Sequence, residues 1–479
     1  MKTEERTLDE RTMKRARDAV RPLAERLDLE QRLALYAPRQ WSGSTDGLPI
    51  LHLDDVSGIP FVSVVPGVEE YQHRARVRAG SGEMFAAVTP QSEGYEDYCR
   101  STLGLGSPEL LLTEPGDHGF AVAEACRSGP TFDRLVARAS EAGGLTIHPY
   151  MAIAEVWELG AQIAERSGVR VEVLGPPPPV LWIANDKALL SEVVTRVLSA
   201  EWIVETRTAT EPAEMAEHLL KLARHHHKVG LKRTRCASAM GNAVYDLAAI
   251  RKRRSDEIVD EVRKFLERTE WACDEEVLVV AWEQTEDSPS TQLWIPPIAG
   301  GPPRVEGVYE QILEGEERVF LGSRPSLLGE ETDRLLTDAS LEVGAALQSL
   351  GYAGRCSFDF IIVEGPDGES RPKFTECNGR WGGTSTPMHL VDRLFSGRRP
   401  PYWAQDYVHH DLIGVGFPEV LERIGDGLYD PSTGRGRYIL YNVGPLALTG
   451  KLDVIALGDT PQEAEEAIRE DFPRRLGLS

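Results

Sequence analysis

Residues 357–384, SFDFIIVEGPDGESRPKFTECNGRWGGT, constrain the fold of this chain more than any other stretch. Gly365-Pro366-Asp367-Gly368 separates two apolar-rich runs, a pattern that closes into a β-hairpin. With the turn centred on Asp367 and Gly368, opposing residues have position numbers summing to about 735. Asp359 then faces Glu376, and Asn378 shares the Glu376 face because side chains repeat every second residue. Two directly opposed carboxylates repel and destabilise a sheet unless something compensates. A divalent cation does so: Asp, Glu and Asn supply the hard oxygen ligands that Mg²⁺ prefers, and nucleotide phosphates and water complete its shell. Arg380 brings a delocalised cation to the same place, and Gly382-Gly383 lets the backbone come close to a ligand. The hairpin alone is equally compatible with two solvated carboxylates on an exposed sheet face.

The rest of the 479 residues read as an α/β (α+β) chain of about two to four compact units. Residues 1–58 read as a helical region, beginning with an exposed helix of alternating charge and ending in a polar, Gly-containing stretch. Over 59–180, the runs FVSVVPG, MFAAVTPQ, PELLLTEPG and VRVEVLG alternate with the helical patterns TFDRLVARASEAG and AIAEVWELGAQIAERSG. That alternation predicts an open α/β sheet. GPPPP at 175–179 is a stiff, extended break that marks a boundary. A mixed module follows over 181–395. Its helices are predicted at 186–199, 211–224, 244–270 and 330–350, and its strands at VGLKRT, EVLVVAW, TQLWIPP, RCSFDFIIVEG and RPKFTECNG. Residues 396–479 close the chain with a strand, a turn, a strand and a helix that cap the module.

A net charge of −23, from 53 Lys+Arg against 76 Asp+Glu, argues against a nucleic-acid partner but leaves room for a small anion held by a few lysines. No apolar run is long enough for a membrane span. The N-terminus has no apolar segment of the signal-peptide kind, so the expectation is a cytoplasmic protein. Six cysteines without a C-x-x-C pair read as reduced, mostly packed thiols.

The string D-F-I-I-V, a turn, then T-E-C-N-G-R-W-G-G-T resembles the metal-binding end of ATP-grasp enzymes, and further elements follow in that superfamily's order. Asn185-Asp186-Lys187 resembles the Asp-Lys element that opens the module. VGLKRTRCASAMGN resembles the strand-borne second lysine and the loop that folds over the phosphates. The resemblance implies a pre-ATP-grasp domain, a two-lobed nucleotide module and a small C-terminal segment. It also implies ATP and Mg²⁺ (or Mn²⁺) as cofactors. Lys187 and Lys232 would neutralise phosphate charge, and Ala237 to Asn242, with Ser238, Met240 and Gly241, would form the lid. EVLVVAWEQ, with Trp282 and Glu283, resembles the strand that sandwiches adenine, and Glu310-Gln311 falls where relatives place a pair near the substrate cleft. Asp359, Glu376 and Asn378 would hold the metal, with Arg380 and Lys232 as catalytic cations.

The implied activity is ATP-dependent ligation of a small carboxylic acid to an amine through an acyl phosphate, by a homodimer. Finer likeness to the pheganomycin type of peptide ligase points to natural-product biosynthesis. A phosphotransferase and a non-catalytic nucleotide binder are the alternatives on the same module. Gly67 and Gly116 follow strand-like runs where α/β substrate loops lie, although tight turns explain them equally well.

Other signals carry less. His225-His226-His227 does not share a helix face and reads as a solvated helix end. Alternation turns Cys377 away from the two ligands beside it, and Cys236 lacks a base partner. Arg251-Lys252-Arg253-Arg254 reads as a solvated helix face.

Overall fold

The computed structural model describes residues 8–478 except 46, 117, 237–239, 273–274, 284, 316–317 and 366–367. Ser238 of the expected lid and Asp367 of the hairpin turn therefore lie outside the described residues.

Three sheets organise the chain. The first is parallel, with β1 (Ile50–Leu53), β2 (Met84–Ala87), β3 (Glu109–Leu112), β4 (Gly144–Pro149) and β5 (Arg170–Val173) in the order β3-β2-β1-β4-β5. The second is antiparallel: β6 (Thr206–Ala209), β7 (Lys228–Arg233), β8 (Asn242–Asp246) and β9 (Val277–Ala281), ordered β6-β9-β7-β8. The third comprises β10 (Pro289–Ile295), β11 (Arg304–Glu314), β12 (Val319–Pro325), β13 (Gly354–Glu364), β14 (Ser370–Asn378), β15 (Tyr402–Val408), β16 (Tyr438–Tyr441) and β17 (Lys451–Leu457). Its order is β14-β13-β10-β11-β12-β15-β17-β16, antiparallel throughout.

Several expectations need correction. FVSVVPG is not a strand: Phe61 and Gly67 take left-handed backbone (φ 64° and 75°) and bracket a 3₁₀ turn at Val62–Val64. The central strand of the parallel sheet is instead β1, inside the segment read as helical, where only four residues carry the pattern. Pro178 and Pro179 open the helix Pro178–Asn185 rather than extending a break, since proline's fixed φ suits a first helical turn. The single helix expected over 244–270 is β8 followed by two helices, Leu247–Arg251 and Ser255–Arg268. Extended backbone at Arg254 separates them, and its N–H donates to Glu257 Oε2 (3.0 Å). The first helix, Glu10–Arg26, is not merely exposed. Its Ala16, Val20 and Leu23 are buried against the helices Glu330–Ser349 and Lys187–Val197. Residues 396–479 supply β15, β17 and β16, so the third sheet runs without interruption past residue 395.

Three pairs have the expected register, Ser357 facing Asn378, Phe358 facing Cys377 and Asp359 facing Glu376, whereas the pairs nearer the turn, from Glu364–Ser370 to Phe360–Phe374, are one residue out of it. A bulge after Asp359 then moves Phe360 opposite Phe374 and leaves Thr375 as the extra residue, whose hydroxyl donates to the Asp359 carbonyl (3.0 Å). Bulges of this kind re-aim side chains beside sites. One hairpin face carries Cys356, Phe358, Phe374 and Cys377 into the core. Phe374 is 4% exposed and meets the rings of Phe360 and Phe358 at 4.2 and 5.5 Å. Phe374→Ala is expected to cost about 3–5 kcal/mol in urea denaturation, because packed aromatic neighbours cannot collapse into the void. A loss under about 1 kcal/mol would show that the hairpin is not anchored there.

Candidate functional site

The opposite hairpin face, with β10 and β11, fronts two adjoining cavities. The first, about 130 Å³, opens towards the second sheet and is lined by Lys187, Lys232, Asn242, Trp282, Glu283 and Gln311, with Asp359 and Glu376 at its floor. The second, about 250 Å³, shares Asp359, Glu376 and Gln311 and adds Asn378, Arg380 and Met240. The two opposed carboxylates therefore stand at the junction.

Local structure aims the two lysines. Asp186 caps the helix Lys187–Val197 by accepting from the N–H groups of Ala188 and Leu189 (3.0 and 3.1 Å). Lys187 is thereby fixed at the first helical position, and its Nζ lies 3.0 Å from Glu376 Oε2 and donates to the Cys236 carbonyl (3.1 Å). Asn185 Oδ1 accepts from the Gly379 N–H (3.1 Å), which ties this element to the end of β14. Lys232 on β7 pairs with Asn242 on β8, and its Nζ sits 4.8 Å from the Trp282 ring centre.

Around Asp359, Ser290 Oγ donates to Oδ1 (2.7 Å) and Asn378 Nδ2 to Oδ2 (2.9 Å), while Arg380 Nη1 donates to Asn378 Oδ1 (2.5 Å). Burial, followed by the Glu376 carboxylate, pushes the Asp359 carboxyl well above the usual range. Burial acts on Glu376 in the same sense, but Lys187, Lys232 and Arg380 hold it below that range. The oxygen donors fit a hard divalent cation, and the repulsion registered at Asp359 is what such an ion relieves. Asn378 requires an amendment: its oxygen is taken by Arg380, so it bridges Arg380 and Asp359 instead of presenting a free donor.

Loss of solvation at the Lys232 ammonium lowers its pKa to about 8, an effect the nearby Lys187 reinforces and Glu376 opposes. Phosphate charge favours the protonated form. A nucleotide bound near pH 8 should therefore draw a proton onto Lys232, whereas well below that pH the group is already charged. ADP calorimetry in buffers of different ionisation enthalpy should register this uptake near pH 8, and an enthalpy independent of buffer would place Lys232 away from the phosphates.

Other expected residues divide. Gly241 lines neither cavity; a Cβ there would collide with Cys236 Sγ, so glycine serves the tight turn of the β7–β8 loop. Met240 faces the second cavity, not the first. Glu310 is engaged by Arg324 (2.7 Å), leaving Gln311 to face both cavities. Gly383 answers to the protein itself: a Cβ would strike the Phe320 ring, while Gly382 has open space beside it. His226 is not a bare helix end, since it lies 3.0 Å from Glu205 and 3.5 Å from Glu283. Cys377 is buried, as its alternation implied. Gly67 is a left-handed turn beside Pro445, and neither it nor Gly116 lines either cavity.

Arg318, which reaches both cavities from the β11–β12 turn, was not foreseen. Its left-handed backbone (φ 61°) and turn location carry no local motif. Ser290, hydrogen-bonded to Asp359, was missed because β10 meets β13 only through long-range pairing.

Residues 72–165 match the family described as the pre ATP-grasp domain. No curated protein sequence matches the chain. Among solved structures, the chain resembles the ADP complex of purK, an N5-carboxyaminoimidazole ribonucleotide synthetase, at TM-score 0.50 and 15% identity, over 88% of this chain and 96% of that one. It also resembles a Campylobacter jejuni biotin carboxylase at TM-score 0.52 and 12% identity, over 87% of this chain and 88% of that one. The biotin carboxylase domain of Hydrogenobacter thermophilus 2-oxoglutarate carboxylase, solved with MgADP, ADP and bicarbonate, is similar at TM-score 0.51 and 13% identity, over 88% of each chain. At such identities the likeness is one of fold: a pre-ATP-grasp α/β domain followed by an ATP-grasp architecture.

Proposed function

We propose that this chain, with an ATP-grasp fold behind a pre-ATP-grasp domain, is an ATP-dependent ligase that joins a small carboxylic acid to an amine. The observation that carries the reading is the opposed pair Asp359 and Glu376, at the junction of a lysine-lined cavity and a second, larger one. ATP would bind at the first cavity, between the hairpin and the second sheet. Its adenine lies by Trp282 and its phosphates by Lys187 and Lys232, and the acid reaches the junction from the second cavity.

Asp359 and Glu376, with Asn378 once Arg380 releases its oxygen, would hold Mg²⁺, which supplies charge neutralisation to the phosphates when bound. Lys187 and Lys232 bind and orient the phosphates, and Arg380 orients the acid. A carboxylate oxygen attacks the γ-phosphorus, ADP departs, and an acyl phosphate remains. An amine then attacks the carbonyl carbon, loses a proton and expels phosphate, forming the amide. Positioning and preorganised positive charge do most of this work. Met240, on the β7–β8 loop beside the second cavity, would help to exclude the water that hydrolyses acyl phosphates.

The same reading assigns residues 59–180 to the pre-ATP-grasp unit, 181–395 to the nucleotide module and 396–479 to the wall of the substrate cavity. Peptide-like natural products, a homodimer and a cytoplasmic setting belong to the proposal as well. Among the described residues, no helix is long and apolar enough to cross a membrane.

The test is ADP and phosphate release with acid and amine panels, with mass spectrometry of the product. An amide formed at one ADP per bond supports ligation, and a stable phosphorylated product identifies a phosphotransferase instead. ATP binding without turnover over a broad panel would leave only a nucleotide-binding protein.

A further inference from the structure

Phosphoryl transfer in the proposed reaction crosses from one cavity to the other, so the residues common to both bound its path. Five described residues line both cavities: Gln311, Leu313, Arg318, Asp359 and Glu376. Arg318 is the only cation among them. Lys187 and Lys232 line the first cavity without reaching the second, and Arg380 lines the second without reaching the first.

Arg318 is half-buried in the turn between β11 and β12, and its Nη2 donates to the Thr285 carbonyl (2.6 Å). Burial disfavours its charge, and no carboxylate among the described residues offsets that. Its guanidinium therefore has further donors to place. The backbone is left-handed (φ 61°), a conformation that costs an arginine more than a glycine. Chain reversal by itself would favour glycine there, so the turn does not account for an arginine.

Charge around the junction points the same way. Lys187, Lys232, Arg318 and Arg380 stand against Asp359 and Glu376, and adding Glu283, which lies 3.5 Å from His226, still leaves the cations in excess. The other acids of the second cavity, Asp406 and Asp453, face each other across β15 and β17. Together with Asp54 they are balanced by Arg74, Arg78 and Lys451. Burial first, and then Lys187 and Arg318, disfavour the charged form of Lys232 against the pull of Glu376. An anion shared by these cations relieves their repulsion, and the guanidinium fork matches phosphoryl oxygens.

We infer that Arg318 holds the phosphoryl group during transfer, touching the γ-phosphate of the nucleotide and then the acyl phosphate. It moves no proton. It donates hydrogen bonds to the non-bridging oxygens while the bond from the γ-phosphorus to ADP breaks and the bond to the acid's oxygen forms. The inference rests on the ligase reading for the acyl phosphate, whereas the contact with the γ-phosphate does not require turnover.

The experiment is calorimetry on the full chain with MgADP and with the ATP analogue MgAMP-PNP, for the wild type, Arg318→Gly and Arg318→Lys. Glycine suits the left-handed turn, so Arg318→Gly removes the guanidinium without straining the backbone. It should weaken MgAMP-PNP binding ~10-fold or more while MgADP affinity stays within ~2-fold, and lysine should restore part of the loss. Unchanged MgADP affinity also shows that the variant is folded. Equal losses for the two nucleotides, or no loss for MgAMP-PNP, would overturn the inference. Turnover separates it from the ligase reading. With an acid and an amine that the wild type joins, Arg318→Gly should lower kcat by ~10²–10³-fold, and a wild-type kcat in the variant removes Arg318 and keeps the ligase. No amide from any wild-type panel, with the nucleotide difference intact, keeps the γ-phosphate contact and removes the ligase.

Discussion

Glu376→Gln is expected to lower ADP release by ~10²–10³-fold while leaving the protein folded. The substitution keeps the shape of the side chain, and Cys377 and Phe374, which anchor β14, point to the other face. It removes the charge that opposes Lys187 at 3.0 Å and one of the two carboxylates across the β13–β14 pair. Without it, Asp359 loses the neighbour whose charge helps raise its carboxyl and should ionise more readily, while Lys187 loses a partner that helps hold it charged, so the fold should lose some stability without unfolding. The metal requirement is where the loss should appear: the Mg²⁺ concentration for half-maximal activity should rise along with the fall in kcat. Steady-state ADP release across a Mg²⁺ titration checks this, and near-normal turnover would remove Glu376 from the site.

Lys187→Met should affect both nucleotide affinity and stability, through separable causes. Its ammonium is 6% exposed, and burial alone would strip its proton; Cys236 and Glu376 hold it charged above its ordinary range. Deleting it leaves Glu376 with Lys232 and Arg380 but without its ion-pair partner. Breaking a fully buried pair costs about 3–5 kcal/mol, and because Glu376 is one-third exposed the loss should fall below that range. Pairing the change with Glu376→Gln should recover part of the lost stability, since the stranded charge is then gone. Nucleotide affinity should not recover, because the phosphates lose their cation either way. Urea midpoints and ADP calorimetry on the single and double variants check both statements; additive stability losses would show that the two side chains do not interact.

Much of the candidate site was legible before any coordinates. Hairpin periodicity and a Gly-Pro-Asp-Gly turn pointed to Asp359 opposite Glu376, and the pair does meet there, with a bulge after Asp359 offsetting the one-residue shift of the pairs nearer the turn. Asp186 capping a helix that begins with Lys187 is local in the same way. Legibility failed where short elements borrow their identity from neighbours. β1 has four residues and becomes a strand only between β2 and β4. FVSVVPG has the apolar content of a strand, yet left-handed residues at both ends curl it into a turn. The bulge after Asp359 is likewise invisible to a strict two-residue period.

The two pairs of opposed carboxylates show where the division falls. Asp359 and Glu376 are joined by one tight turn, so the local pattern brings their strands together, and a bulge after Asp359 completes the match. Asp406 and Asp453 belong to strands separated by two helices, Phe417–Ile424 and Leu446–Thr449, and a further strand, and no local rule pairs them. Only closure of the eight-stranded sheet brings them into register, beneath Tyr71 and Arg74 from the parallel-sheet unit. Short-range backbone geometry therefore decided most of the Asp359–Glu376 hairpin, while long-range strand pairing decided where Asp406 and Asp453 stand.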